Sequence, residues 1–322
     1  MVQATPGRSA SIPGPEDLPR HGNGVSLTLK ELLARAEHQA LVRSADDGRA
    51  RAQMAGERLS RLKGRGMEFA EVRAYQPGDD VRTIDWRVTA RSGKAHTKLF
   101  RDERERPVLL CVDLGSRMRL GSRLLLQSVQ AAHLAALLGW YVTARGDRIG
   151  GLICHEQGHH ELKPRARRLG LLAMLEALVE LHTADNRQDP AANGADYWAK
   201  ALLRLQRLTR PGSLVVIITN PLGLDAPSLE QINRLRRHAE VRLFAIGDPL
   251  FDQLARNPGP LPVQLPHHNQ PGWLDRRGSQ HLAQRWQQAR QNAAQLSQHH
   301  HLFLSELTAA EPLERQWQQL WL

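Results

Sequence analysis

Two kinds of hydrophobic pattern divide this chain near Pro107. Before it, apolar residues first recur at helical spacing in SLTLKELLARAEHQALVRSA. There Leu29, Leu32, Leu33, Ala36 and Ala40 share one face and predict a single amphipathic helix. The block from Gly64 to Phe100 changes to short strands: EFAEVRAY alternates, QPGDD at Gln76–Asp80 reads as a turn, and KAHTKLF returns as a strand. The opening stretch follows neither pattern. It is rich in Pro, Gly and Ser and has no apolar signal core, so a disordered tail is expected over residues 1–25.

From Pro107 the pattern is that of an α/β domain. PVLLCVDL, SLVVIITN and VRLFAIGDP are continuous apolar runs of strand length, the kind that is buried on both faces. Between them lie SRLLLQSVQAAHLAALLGWYVTA, apolar nearly all round, then LGLLAMLEALVELH, ADYWAKALLRLQRL and PSLEQINRLRRHA, the last opened by Pro227. A Gln-rich helix from Gln280 to Gln298, a strand HLFLSEL and a terminal helix follow. This alternation predicts a doubly wound, mainly parallel, Rossmann-like sheet over 107–322. A helix and a small β-rich subdomain are expected over 26–106. Ligands of such sheets bind at the carboxyl ends of the strands, here Asp113, Asn220 and Gly247-Asp248.

Composition narrows the possible functions. No apolar run approaches the ~20 residues of a membrane span, and a cytoplasmic protein is expected. Cys111 and Cys154 both lie in strand-like runs and read as buried thiols rather than a disulfide. The net charge of +11 raises nucleic acid as a partner. However, the basic residues are spread along the chain, RDERER and RLRRHAE mix signs, and only six of 44 are lysines, so an arginine-rich composition accounts for the charge equally well. No stretch interleaves aromatic and basic residues as a base-stacking platform would. A basic nucleic-acid-binding protein therefore remains an alternative to be tested by salt-dependent DNA binding.

A G-x-G-x-x-G turn, a G-x-x-x-x-G-K-[ST] loop and a G-x-S-x-G elbow are all missing, which argues against dinucleotide, nucleotide and serine-hydrolase chemistry. One catalytic motif is matched: HEQGH, with His155, Glu156 and His159. On a helix it would set two zinc ligands one turn apart, beside a glutamate able to polarise the bound water, and Glu176 or Glu180 could be sought as a third ligand. Glycines 146, 150, 151 and 158 and Pro164 argue against a helix here. The expected structure is a hairpin, with a strand at Arg148–Cys154, a turn around Gln157-Gly158, a strand through Glu161–Lys163, and the histidines on a solvated turn. A zinc hydrolase is the second alternative.

The run GRGMEFAEVRAYQPGDDVRTIDWRVTARSGKAHTKLFRDERERPVLLCVDLGSRM closely resembles the signature of the bacterial domain of unknown function 58, and AEVRLFAIGDPLFDQL resembles its C-terminal half. The signature positions are Arg73, Tyr75, Gly78, Asp79, Asp80, Arg82, Asp85, Trp86 and Arg91. The resemblance implies a von Willebrand factor A-like domain with a small β-rich segment. It also implies no enzymatic activity, no cofactor, and association with MoxR-type AAA+ ATPases as an adaptor. Within the signature, Arg73, Arg82, Arg87 and Arg91 could pair with Asp79, Asp80 and Asp85, with Trp86 as a flat anchor beside them.

Von Willebrand A-like domains often hold Mg²⁺ with D-x-S-x-S after the first strand, and the resemblance raises that question here. The corresponding run is Asp113-Leu114-Gly115-Ser116-Arg117, with Asn220 at the later carboxylate position. Gly115 offers no oxygen, Ser116 is one residue out of step, and Arg117 brings a cation, so no metal is expected. Asp113, Ser116, Arg117 and Asn220 are instead expected to form a partner-binding position, with Arg117 gripping a carboxylate in place of the metal.

Overall fold

A computed structural model describes residues 15–38, 67–76, 81, 84–102, 106–184, 197–264, 271–300 and 302–316. In chain order its regular elements are α1 (Leu29–Ala34), β1 (Met67–Ala74), α2 (Trp86–Ser92), β2 (His96–Asp102), β3 (Pro107–Asp113) and α3 (Gln127–Ala144). The hairpin strands β4 (Arg148–His155) and β5 (Gly158–Ala166) precede α4 (Arg167–Ala184), α5 (Tyr197–Leu208), β6 (Leu214–Thr219), α6 (Ala226–Arg236) and β7 (Glu240–Gly247). Then come α7 (Pro249–Arg256), β8 (Leu261–Gln264), β9 (Pro271–Leu274), α8 (Arg276–His300), β10 (Phe303–Thr308) and α9 (Leu313–Gln316). Residues 1–46 with 106–322 make one compact unit and 47–105 another.

The larger unit is α/β and doubly wound, as its apolar runs predict. Its six-stranded sheet has the order β10-β7-β6-β3-β4-β5, with every neighbouring pair parallel except β4–β5. Alternation along β3 splits the core into two layers. Val108, Leu110 and Val112 face α3 and α4, whereas Leu109 and Cys111 face α5 and α6. From β3 the chain continues into α3 on the first face, and from β6 it continues into α6 on the second. The strand order therefore reverses between β3 and β6, and the crevice at their carboxyl ends is the ligand position of such sheets.

Among the described residues no helix is long and apolar enough to cross a membrane. Helix α3 is buried nearly all round, in keeping with its apolar sequence. It starts at Gln127, later than its apolar run suggests, because Ser122 is held outside it by the Asp248 carboxylate. Cys111 and Cys154 are buried free thiols.

Two boundaries differ from the sequence reading. The helix expected over SLTLKELLARAEHQALVRSA is α1 followed by a 3₁₀ turn at Arg35–His38, and its later part lies outside the described residues. Helix α1 packs on α3 and α4, so it belongs to the sheet unit rather than to the β-rich segment grouped with it over 26–106. It is anchored by buried polar groups. Glu31 Oε1 accepts from His133 Nε2 at 2.7 Å with both side chains fully buried, and Arg35 pairs with Glu314.

In the smaller unit β1 and β2 pair antiparallel, with a bulge between Phe69 and Glu71. Helix α2 was not expected from a pattern that reads as strands throughout. Asp85 caps it, its Oδ1 accepting from the Arg87 and Val88 amides, and Gly93 ends it at φ +69°. Arg87, Arg91 and Trp86 are exposed, Trp86 at 70 %, while Arg73 and Tyr75 are half-buried. Arg73 Nη1 donates to the Ala74 carbonyl at 3.0 Å. Gly78, Asp79, Asp80 and Arg82 lie outside the described residues.

Candidate functional site

At the crevice between β3 and β6, Asp113 is fully buried and its carboxylate is saturated from within the chain. Oδ1 accepts from the Gly115 amide at 3.0 Å and from the Tyr197 hydroxyl at 2.8 Å, while Oδ2 accepts from Thr219 Oγ1 at 2.7 Å. Burial and the adjacent Asp113 charge push the Tyr197 phenol far above its ordinary range, so it stays a neutral donor. Its oxygen in turn accepts from Arg117 Nε at 2.9 Å, and Nε lies 3.5 Å from Asp113 Oδ2. The guanidinium also stands over the rings of Tyr197 and Trp198, 4.9 and 5.8 Å from their centroids. Burial acts against its charge, but Asp113 and Tyr197 outweigh it and hold the Arg117 pKa above normal.

Arg117 is thus folded back onto Asp113, and about a fifth of its side chain (21 %) stays exposed. Asn220 serves this turn structurally. Its Nδ2 donates to the Arg117 carbonyl at 2.7 Å and to Gln127 Oε1 at 3.1 Å, and its Oδ1 accepts from the Gly223 amide. Ser116 points elsewhere: its amide and hydroxyl donate to Glu156 Oε1 at 2.7 and 2.6 Å. Gly115 is needed because a Cβ there would collide with the Tyr197 hydroxyl and press on Glu156. Tyr197 and Thr219 went unnoticed in the sequence. Thr219 only precedes Asn220, and Tyr197 lies on the apolar face of α5, where it reads as core.

The HEQGH segment is a hairpin, with the turn at Glu156-Gln157. His155 is opposite Gly158 and Cys154 is opposite His159, so the two histidines point to opposite faces of the sheet. That separation excludes the helical zinc arrangement. The turn is not solvated as expected: His155 and Glu156 are buried, with Glu156 turned onto Ser116, and only His159 of the three is exposed. Among the described residues no group of three His, Cys, Asp or Glu side chains could hold a metal ion.

The family model described as protein of unknown function DUF58 matches residues 71–295, which include the whole crevice. The chain belongs to the DUF58 family. Uncharacterized proteins of Mycobacterium bovis and Mycobacterium tuberculosis are 32 % identical to this DUF58 chain over 168 residues, 52 % of its length and 51 % of theirs. The chain thus spans about half the length of the curated relatives it matches. The crystal structure of an uncharacterized membrane spanning protein from Vibrio fischeri covers 66 % of this chain and 94 % of its own. It is 11 % identical with a TM-score of 0.20, too distant to bear on the DUF58 site.

Proposed function

We propose that this DUF58 chain is a non-enzymatic cytoplasmic adaptor that binds a protein partner, a MoxR-type AAA+ ATPase, at the carboxyl ends of β3 and β6. The observation that carries the reading is the Arg117 guanidinium, fixed through Nε to Tyr197 beside Asp113 and still partly exposed. A permanently charged, pre-oriented guanidinium is suited to grip a carboxylate through two hydrogen bonds, the role a metal plays in related domains. The Asp113 carboxylate, by contrast, is already occupied by three donors and Arg117, which leaves it little to offer a cation.

Co-purification from native extract tests the partner: a co-purifying AAA+ ATPase is expected. With that partner purified, Arg117→Ala should weaken binding ~10–100-fold, the effect of one charge-assisted pair, while EDTA and Mg²⁺ change nothing. Binding that needs Mg²⁺, or that is intact in Arg117→Ala, overturns the reading. Salt-dependent DNA binding with no protein captured would favour the basic nucleic-acid-binding alternative instead.

A further inference from the structure

Helix α2 has two unlike faces. Val88 and Thr89 are half-buried, and Thr89 Oγ1 accepts from the His96 amide of β2 at 3.1 Å. Trp86, Arg87, Ala90 and Arg91 fall together within about 140° of arc on the other side, and all four are exposed. Ala90, one turn after Trp86, is too short to cover its ring. Lys94 follows the left-handed Gly93 cap and is exposed as well.

The cations of this face are not engaged. Among the described residues, no ion pair or side-chain hydrogen bond holds Arg87, Arg91 or Lys94. The adjoining carboxylate, Asp85, accepts from the Arg87 and Val88 amides, which draws its charge to the helix N-terminus. Val81, whose carbonyl accepts from the Ile84 amide just ahead of the helix, is a second exposed apolar side chain. A tryptophan 70 % exposed beside unpaired guanidinium groups has the make-up of an interfacial anchor, with the ring at headgroup level and the cations on lipid phosphates. Nucleic acid fits this face less well, because strand binders stack successive bases on several rings and α2 offers one. The face is also convex. A folded partner would have to supply a pocket for the ring, whereas a bilayer interface takes it as it stands.

We infer that the exposed face of α2 docks on an anionic lipid bilayer, with Trp86 seated among the headgroups and Arg87, Arg91 and Lys94 on their phosphates. The attachment is peripheral and needs no membrane-spanning segment. It goes beyond protein binding at the β3–β6 crevice and uses none of the crevice residues.

Flotation of the full chain with vesicles at low ionic strength tests it. Vesicles of equal parts phosphatidylglycerol and phosphatidylcholine should carry the protein upward, pure phosphatidylcholine should not, and added salt should release it. Trp86→Ala should weaken partitioning, and Arg87→Gln with Arg91→Gln should weaken it by roughly tenfold or more. Lys94→Gln lies outside the helix, so its expected loss of roughly fivefold does not depend on α2 staying folded. The chain carries a net charge of +11, so general attraction of a basic protein must be separated from the patch. Trp273 on β9 is equally exposed and is followed by the exposed Arg276 and Arg277. Trp273→Ala, and Arg276→Gln with Arg277→Gln, should leave partitioning unchanged. Absent or equal partitioning into the two kinds of vesicle overturns the inference, as does partitioning that survives the α2 variants. Equal losses in the α2 and β9–α8 variants overturn it too, since they would mark general charge attraction. A single-stranded oligonucleotide that displaces the vesicles and needs Trp86 to bind would name nucleic acid as the occupant instead.

Discussion

A side chain at position 115 would occupy the space that the Tyr197 hydroxyl fills, and this competition defines the crevice at the residue scale. In a D-x-S-x-S site a serine would stand there and reach a metal; here the residue is glycine, and a phenol from α5 reaches Asp113 instead. Gly115→Ala should therefore destabilise the protein by ~1–3 kcal/mol, the usual range for forcing extra volume into a packed site, read as a lower urea midpoint at unchanged m. An unchanged midpoint would mean that Tyr197 yields freely and that the Asp113 contacts are loose. The strand-end rule, a local signal, led to Asp113 and Asn220, and the resemblance to von Willebrand A-like domains led to Arg117. Tyr197 is 84 residues from Asp113, and its apolar helical position gave no hint that its hydroxyl faces inward to a carboxylate. Ser116 and Asn220 lie at the crevice, but their side chains serve Glu156 and the local turns.

Elements differ in how openly their residues announce them. The strands β3, β6 and β7 are legible because burial on both faces leaves continuous apolar runs, and the β4–β5 hairpin because its glycines cannot be reconciled with a helix. Glycine has a positive use there as well. Gly151, at φ +154°, sits where the β4–β5 register shifts, and a Cβ on it would strike the Leu110 backbone. Short elements are harder: α2, α7 and the β8–β9 pair span eight residues or fewer each strand or helix, too few for a period to stand out. Their caps were nonetheless written in the sequence, as Asp85 with Gly93 around α2 and Asp248-Pro249 at the start of α7. Gly93 allows a clean test, since it has a left-handed backbone and nothing within 4 Å of an added Cβ. Gly93→Ala should cost ~1–2 kcal/mol of conformational strain without any clash, and it should speed hydrogen exchange in α2 while the central sheet is unaffected. Exchange in α2 equal to that of the original protein would show that the cap does not limit its stability.

At the scale of the whole sheet unit, residues 17–35 and 308–316 pack over α3, and polar contacts join the apolar ones there. Arg35 pairs with Glu314, Arg315 with Asp17, and the Leu126 amide donates to the Gly24 carbonyl, while Glu31 meets His133 in the buried layer beneath. His182 on α4 is fully buried beside this layer, 3.1 Å from Ser128 Oγ, with Arg119 donating to its carbonyl. Burial first, and then the Arg119 charge, push the His182 pKa down from its normal 6.5 to about 4, and burial outweighs Glu31 in lowering that of His133. Both imidazoles are therefore neutral in the folded protein at neutral pH. A base with a depressed folded pKa binds fewer protons folded than unfolded between the two pKa values, so stability is complete above pH 6.5 and falls as pH drops toward 4. The slope for one such group is at most ~1.4 kcal/mol per pH unit. Melting temperatures measured from pH 7.5 down to 4.5 should decline mainly below 6.5, and His182→Gln, which keeps a polar side chain but cannot take the proton, should flatten that decline. A profile as steep in His182→Gln as in the original chain would remove His182 as its cause and leave the Glu31–His133 pair, whose own variant His133→Gln would then have to carry the effect.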